Sequence, residues 1–165
     1  MSIRLTAASL ALLLLAETCR ADGCDEHPGL EPPLQPHQFE IVSAFGLRRN
    51  PFSGRLVFHT GLDLTGPSRT AVLAMRDGHV MSLEPETGGA FTIAVRHCGG
   101  WMSEYRHVVN PAVVVGQRVL RGQRLASAGH PHESGRGARI HVGLSLNGRP
   151  VDPAPLFAGF AQHRR

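Results

Sequence analysis

The chain has 165 residues and a formal net charge of +4, with 42% hydrophobic and 18% charged residues. This length predicts one domain, and the apolar content is sufficient for a core, which excludes a globally disordered chain. The positive charge suits an anionic partner. The Lys and Arg residues are scattered, however, and the chain has one Trp and one Tyr, which argues against a nucleic-acid partner.

The N-terminus has the pattern of a secretory signal peptide. Arg4 precedes an apolar run, Leu5–Ala16, which is shorter than the about 20 residues that span a bilayer. We therefore predict a signal peptide over residues 1–21, cleaved after Ala21, and an exported mature protein without a membrane span, located in the periplasm or outside the cell. An uncleaved N-terminal anchor and a lipid attached to Cys19 are the alternatives.

Cleavage after residue 21 would leave two cysteines, Cys24 and Cys98, in an oxidising compartment. Their spacing is compatible with one disulfide and equally with two free thiols. The sequence contains no C-x-x-C pair, which argues against a zinc site built from cysteines.

Short apolar runs separated by Gly-containing turns dominate the rest of the chain. We predict a Pro-rich linker over residues 22–40, one domain over 41–158 and a C-terminal tail over 159–165. No stretch has a convincing helical period, so the spacing predicts an all-β antiparallel sandwich or barrel. The predicted strands are Ile41–Ala44, Ala71–Met75, His79–Leu83, Phe91–Arg96, Met102–His107, Val113–Val115, Arg124–Ala126 and Arg139–Leu146.

Two segments have the residue types of a metal site. In FHTGLDL, His59, Gly61 and Asp63 are spaced by two, so an extended segment would direct His59 and Asp63 to the same side. In ARIHVGL, alternation places Arg139 and His141 on the polar face of a strand. A catalytic zinc typically has three protein ligands and one open position. A lone His is more often structural, so the residues alone leave both readings open.

The order of the motifs resembles the lysostaphin/LytM-type zinc metalloendopeptidases. That family typically reads S-x-F-G-x-R, H-x-x-x-D, G-x-V, Y-x-H, G-x-x-V-x-x-G-Q, H-x-H, N-G and D-P. The corresponding segments here are SAFGLR (Ser43–Arg48), HTGLD (His59–Asp63), GHV (Gly78–Val80), YRH (Tyr105–His107), GQRVLRGQ (Gly116–Gln123), RIH (Arg139–His141), NG (Asn147–Gly148) and DP (Asp152–Pro153).

The resemblance implies a β-sandwich-like domain with a groove over the sheet and a Zn²⁺ held by His59, Asp63 and His141. It further implies that His107 lies beside the attacking water and that peptide cross-links of bacterial peptidoglycan are the substrate. Zinc acidifies water and polarises a carbonyl, and a nearby imidazole can accept and return the proton.

Arg139 departs from the family pattern, because it replaces the first His of H-x-H. Arginine stays protonated and cannot act as a base, but it can donate hydrogen bonds to an oxyanion. The alternative is a zinc-binding domain of impaired activity that binds the cell wall or regulates another wall hydrolase. A basic binding module without metal is a third hypothesis. His130 and His132 are predicted in a solvated loop, and His79 and His97 at turn or edge positions without a role.

Overall fold

The computed structural model describes residues 29–34, 39–50, 53–129 and 137–156. Across these ranges the chain forms strands and short 3-10 turns, which confirms the predicted all-β class. In the same ranges, no helix has the length and apolar character needed to cross a membrane. The predicted signal peptide and C-terminal tail lie outside the described residues. The strands are β1 (Glu40–Ser43), β2 (Gly46–Arg49), β3 (Leu56–His59), β4 (Gly61–Gly66), β5 (Ala71–Leu73), β6 (Gly78–Pro85), β7 (Phe91–His97), β8 (Trp101–Val109), β9 (Arg118–Val119), β10 (Arg124–Ala128), β11 (Ala138–Leu146) and β12 (Arg149–Pro150).

The described strands form one ten-stranded sheet and one two-stranded sheet, with antiparallel pairings. The large sheet has the order β1-β4-β11-β8-β7-β6-β9, with β10 pairing β5 and β8, and β12 pairing β11. The small sheet is the β2–β3 hairpin. The β11–β12 hairpin turns at Asn147 and Gly148, whose φ angles of 50° and 77° match the positive values that a two-residue type I′ turn requires.

Strand alternation divides the large sheet into a core face and an outer face. Ile140 and Val142 of β11 are buried on the core face, next to Leu62 and Leu64 of β4. Tyr105 of β8 is 0% exposed and belongs to the same hydrophobic cluster. The outer face therefore carries the polar residues of these three central strands, including His141 and Asp63.

All predicted strands except Val113–Val115 overlap with observed strands. That prediction is wrong because Gln117 N donates to Val114 O (3.1 Å) and closes a turn, with Gly116 at φ 83°. Val113 is 4% exposed and belongs to the core, but Val114 and Val115 are 66% and 59% exposed, so most of the run lies at the surface. The strands β2, β9 and β12 were not predicted. β3 and β4 were absent from the predicted strands, although an extended segment was predicted over FHTGLDL, which overlaps both.

The described part of the predicted linker packs on the domain. Leu34 is 2% exposed, Glu31 N donates to Met75 O (2.9 Å) and Leu73 N donates to Pro33 O (2.7 Å). Residues 29–34 are thus attached to the domain that begins after them.

Cys98 is disulfide-bonded, so the alternative of two free thiols is wrong for this residue. The other two cysteines of the chain, Cys19 and Cys24, lie outside the described residues. Which of them pairs with Cys98 stays a prediction, with Cys24 the expected partner.

Candidate metal centre

Three side chains from three strands meet at one point on the outer face of the large sheet. His59 ends β3, Asp63 lies in β4 and His141 lies in β11, and each is less than 10% exposed. His59 Nε2 lies 3.1 Å from Asp63 Oδ1 and 3.1 Å from His141 Nδ1, and the latter two atoms are 3.0 Å apart. The structure therefore brings together the three residues that the sequence nominated as ligands.

The hydrogen bonds of His59 indicate which of its ring nitrogens faces the cluster. Its Nδ1 lies 2.8 Å from the carbonyl oxygen of Ala44, which can only accept, so Nδ1 carries the proton and Nε2 presents a lone pair. That lone pair faces the carboxylate oxygen of Asp63, another acceptor. With a neutral His59, these two acceptors at 3.1 Å repel each other unless a cation lies between them, whereas a protonated His59 would donate to Asp63 instead.

The donor set and its spacing fit zinc. Two imidazole nitrogens and one carboxylate oxygen are ligands that zinc prefers, with bonds of about 2.0–2.1 Å. A tetrahedral ion with such bonds separates its ligand atoms by about 3.3–3.4 Å. The observed separations of 3.0–3.1 Å are close to this value.

The HTGLD segment was predicted to be one extended segment that carries both His59 and Asp63, but the structure divides it between two strands. β3 ends at His59 and pairs with β2 in the small sheet, whereas β4 starts at Gly61 and pairs with β1 and β11. Thr60 separates the two strands. His59 therefore reaches the site from the hairpin, and Asp63 reaches it from the large sheet.

The residues of the SAFGLR segment support the ligands. Arg48 Nη1 donates to Ser43 Oγ (2.8 Å) and lies 3.6 Å from Asp63 Oδ2. Burial alone would raise the pKa of Asp63, but the hydrogen bond from His141 and the nearby His59, His141 and Arg48 outweigh it and lower the pKa. Asp63 is therefore a carboxylate, the form that binds a metal.

Gly61 makes room for the imidazole of His141. A Cβ at this position would lie 2.3 Å from Val142 O and 2.8 Å from the Cε1 and Nε2 atoms of His141. The ring of His141 therefore packs directly against this glycine.

His107 reaches the outer face through a β-bulge in β8. Strict alternation would place it on the core face with Tyr105. Between the pairs Phe91↔Val108 and Ile93↔Tyr105, however, β8 contains one residue more than β7, and His107 has a φ of 63°. A bulge of this kind redirects a side chain. The His107 side chain is 55% exposed and lines the same cleft as the three ligands.

Glu86 is a contact of His107 that the sequence analysis missed. Its Oε2 lies 2.6 Å from His107 Nδ1, and its Oε1 accepts from His107 N (3.3 Å) and from Thr92 Oγ1 (2.5 Å). Burial would raise the pKa of Glu86, but the hydrogen bonds from Thr92 and His107 outweigh it and lower the pKa. Glu86 follows β6 and His107 lies in β8, 21 residues further along the chain, and no spacing in the sequence signals such a pair.

Arg139 lies on the outer face, two residues before His141, and pairs with Thr65 of β4. It is exposed and lines the cleft of about 930 Å³ that also contains the ligand cluster. Arg48 and Arg106 line this cleft as well. The cleft is therefore cationic even without a metal, which suits substrates with negative charge or a developing oxyanion.

His97 is a core residue, and its prediction as a turn or edge position is wrong. It lies in β7 and is 5% exposed, with Nδ1 donating to Asp77 O (2.8 Å) and Nε2 2.8 Å from Ser103 Oγ. Ser103 Oγ in turn lies 3.0 Å from the Tyr105 hydroxyl, which accepts from Met75 N (2.9 Å). This network stabilises the core face behind the site.

Among the described residues, His79 is the one other histidine, and it does not line the cleft. His79 lies in β6, which pairs with β7 on one side and β9 on the other, so it is not at a sheet edge. His130 and His132 lie outside the described residues.

Comparison with known proteins identifies relatives of this domain. A metalloprotease of unknown role from Haemophilus influenzae is 35% identical over 123 residues, which are 73% of this chain and 26% of that protein. The peptidoglycan DD-endopeptidase ShyB of Vibrio cholerae is 31% identical over 123 residues, 73% of this chain and 28% of that protein. The chain thus spans about a quarter of the length of these curated relatives.

Solved structures agree with the fold. A zinc-containing peptidase from Vibrio cholerae is 28% identical, with a TM-score of 0.66 over 75% of this chain and 39% of that chain. Lysostaphin from Staphylococcus simulans shares the fold, at 20% identity and a TM-score of 0.64 over 81% of this chain and 56% of that one. The sequence profile of peptidase family M23 matches residues 57–153, which include His59, Asp63 and His141. The chain belongs to peptidase family M23, and the predicted resemblance to LytM-type and lysostaphin-type enzymes is confirmed.

Proposed function

We propose that this domain is a zinc-dependent endopeptidase that cleaves peptide cross-links of bacterial peptidoglycan. The observation that carries the proposal is the convergence of His59 Nε2, Asp63 Oδ1 and His141 Nδ1 within 3.1 Å of one another. Membership in a peptidase family, and relatives named as peptidoglycan DD-endopeptidases, support the substrate class.

The residues around the cluster have distinct proposed roles. A zinc ion held by the three ligands would polarise the scissile carbonyl and acidify the attacking water. His107 accepts the proton of that water and returns it to the leaving amine. Arg139 donates hydrogen bonds to the oxyanion that develops on the carbonyl, because its guanidinium lines the cleft and stays protonated.

The second candidate is a domain that binds zinc but is catalytically impaired, and that binds the cell wall or regulates another wall hydrolase. Arg139 favours this candidate, since the family has an imidazole at this position and a guanidinium cannot accept a proton. The cluster of His59, Asp63 and His141 supports a metal site over a bare scaffold and is compatible with both candidates, whereas membership in a peptidase family supports the enzyme.

We also propose that the protein acts outside the cytoplasm, in the periplasm or the extracellular space, where peptidoglycan is found. The N-terminal pattern of Arg4 and Leu5–Ala16 supports export. Sequencing the N-terminus of the purified protein from its native cell tests this. A start near Asp22 is expected, and Met1 or Ser2 on cytosolic protein would contradict it.

Digestion of purified peptidoglycan tests the proposed enzyme. The zinc-loaded protein is incubated with cross-linked sacculi, and mass spectrometry identifies the fragments released. We expect loss of cross-linked dimers, no cleavage after zinc chelation, and no cleavage by His59→Ala, which should also lose the metal. His107→Ala is the matched control, since it should retain zinc and still lose cleavage. A wild-type protein that retains zinc but leaves sacculi intact would favour the impaired domain.

A further inference from the structure

We propose that Glu86 is a positioning residue for His107, which fixes the imidazole in the tautomer and orientation needed for proton transfer. This inference rests on the proposed function of the cleft, but its structural part can be tested without turnover. It concerns a residue that follows β6 and that no motif of the sequence includes.

The contacts of Glu86 hold His107 at two points. One carboxylate oxygen lies 2.6 Å from the imidazole Nδ1, and the other accepts from the backbone N–H of the same residue at 3.3 Å. The second oxygen also accepts from Thr92 Oγ1 at 2.5 Å, which fixes the carboxylate itself. The Glu86 side chain is 21% exposed, whereas that of His107 is 55% exposed. The more buried acid therefore anchors the more exposed imidazole.

The backbone conformation of His107 explains why such an anchor is needed. A φ of 63° is uncommon for a residue other than glycine and persists where surrounding contacts determine it. Glu86 contacts both the backbone N–H and the ring of this residue. Glu86 therefore stabilises both the bulge, which directs the side chain into the cleft, and the orientation of the ring.

The chemistry of the pair determines which nitrogen can react. An ionised carboxylate only accepts hydrogen bonds, so a neutral His107 must carry its proton on Nδ1, leaving the Nε2 lone pair free. The hydrogen bond at 2.6 Å places the carboxylate against Nδ1, and the lowered pKa of Glu86 is consistent with an ionised carboxylate there. Among the described residues that line the cleft, His107 is the one imidazole outside the ligand cluster.

His107 first accepts a proton and later releases it, so its protonation state is restored at the end of the reaction. As the water oxygen bonds to the carbonyl carbon, its proton passes to His107 Nε2, and the Glu86 carboxylate faces the charge that the ring acquires. When the carbon–nitrogen bond breaks, the same proton passes from Nε2 to the departing amine. The carboxylate neither gains nor loses a proton, so Glu86 acts only through His107.

The substitution Glu86→Gln removes the charge and retains the shape of the side chain. Glu84→Gln is the matched control, because it removes one charge from an exposed position on the adjacent strand β6. Two measurements are made on the zinc-loaded proteins. Long-range ¹⁵N–¹H correlation spectra report which nitrogen of His107 carries the proton, and steady-state kinetics on a cross-linked muropeptide report kcat and KM. Zinc content and thermal melting confirm that each variant is folded.

We expect the wild type and Glu84→Gln to show the Nδ1–H tautomer, and Glu86→Gln to show a mixture of the two tautomers. We expect kcat of Glu86→Gln to fall about 10- to 100-fold with KM unchanged. An unchanged tautomer in Glu86→Gln overturns the proposal, whatever the activity. A changed tautomer with unchanged kcat overturns the catalytic part. If the tautomer changes in Glu86→Gln but the wild type is inert, the positioning role of Glu86 is supported and the proposed function is contradicted.

Discussion

The close contact between Gly61 and His141 allows a sharp test of the metal centre. In Gly61→Ala, the new methyl would lie 2.3 Å from Val142 O and 2.8 Å from two atoms of the His141 ring, where ordinary contacts are 3.4–4 Å. The first of these atoms belongs to the backbone of the neighbouring strand, so no side-chain rotation relieves the overlap. Either β4 and β11 move apart or the ring of His141 is displaced.

The size of the overlap sets the expected effect on zinc binding. A ring contact at 2.8 Å must lengthen by about 0.6 Å to reach 3.4 Å, which exceeds the tolerance of about 0.2 Å in zinc–ligand distances. We therefore expect Gly61→Ala to weaken zinc binding at least about 10-fold. Overpacking should also lower the free energy of unfolding by about 1–3 kcal/mol.

Gly143→Ala is the matched control. Gly143 pairs with Gly61 across β11 and β4, but a Cβ there would lie 3.5 Å from Glu104 Cβ and 3.8 Å from His141 Nε2, which are ordinary contacts. Competition with a chromogenic chelator measures the zinc affinity of both variants, and urea denaturation measures their stability. Equal zinc affinity in Gly61→Ala and Gly143→Ala would refute the reasoning, because the two methyls approach the same ring.

Three further predictions concern residues around the centre. Arg139→Ala should lower turnover on peptidoglycan about 10²–10³-fold, or roughly 3–4 kcal/mol, with zinc content unchanged. Arg139→His should retain or raise turnover. Equal rates for Arg139→Ala and an active wild type would exclude the oxyanion role. Tyr105→Phe should lower the free energy of unfolding by about 1–3 kcal/mol in urea denaturation without a change in zinc content, because the buried N–H of Met75 loses its acceptor. Burial lowers the pKa of His97 below its ordinary value of 6.5, so the unfolded state binds protons more readily, and stability should be lost as the pH falls below this value. His97→Gln should show a flatter dependence between about pH 7.5 and 5, and identical slopes would contradict this.

Strand alternation accounts for much of what the sequence could predict about the site. The ligand His141 and Arg139 occupy one face of β11, and Ile140 and Val142 are buried on the other, as the two-residue period requires. The same period could not have placed His107, because a bulge interrupts it. That residue was nominated through the resemblance of YRH to the family motif, and its position depends on a register shift that the sequence does not reveal.

Contacts between distant segments account for most of what was missed. Glu86 meets His107 only because β6, β7 and β8 are neighbours in the sheet, and nothing near either residue in the chain indicates it. Val113–Val115 has the composition of a strand, but Gly116 turns the chain there and leaves Val114 exposed. Composition therefore predicted the class of the fold, whereas the tertiary pairing determined which apolar runs were strands.

The central claim is that His59, Asp63 and His141 hold one zinc ion in the cleft. Anomalous diffraction from crystals of the zinc-loaded protein, recorded on both sides of the zinc absorption edge, tests this most directly. We predict one peak per chain, about 2.0–2.2 Å from His59 Nε2, Asp63 Oδ1 and His141 Nδ1. A peak at other residues, or none in crystals grown with excess zinc, would contradict the account.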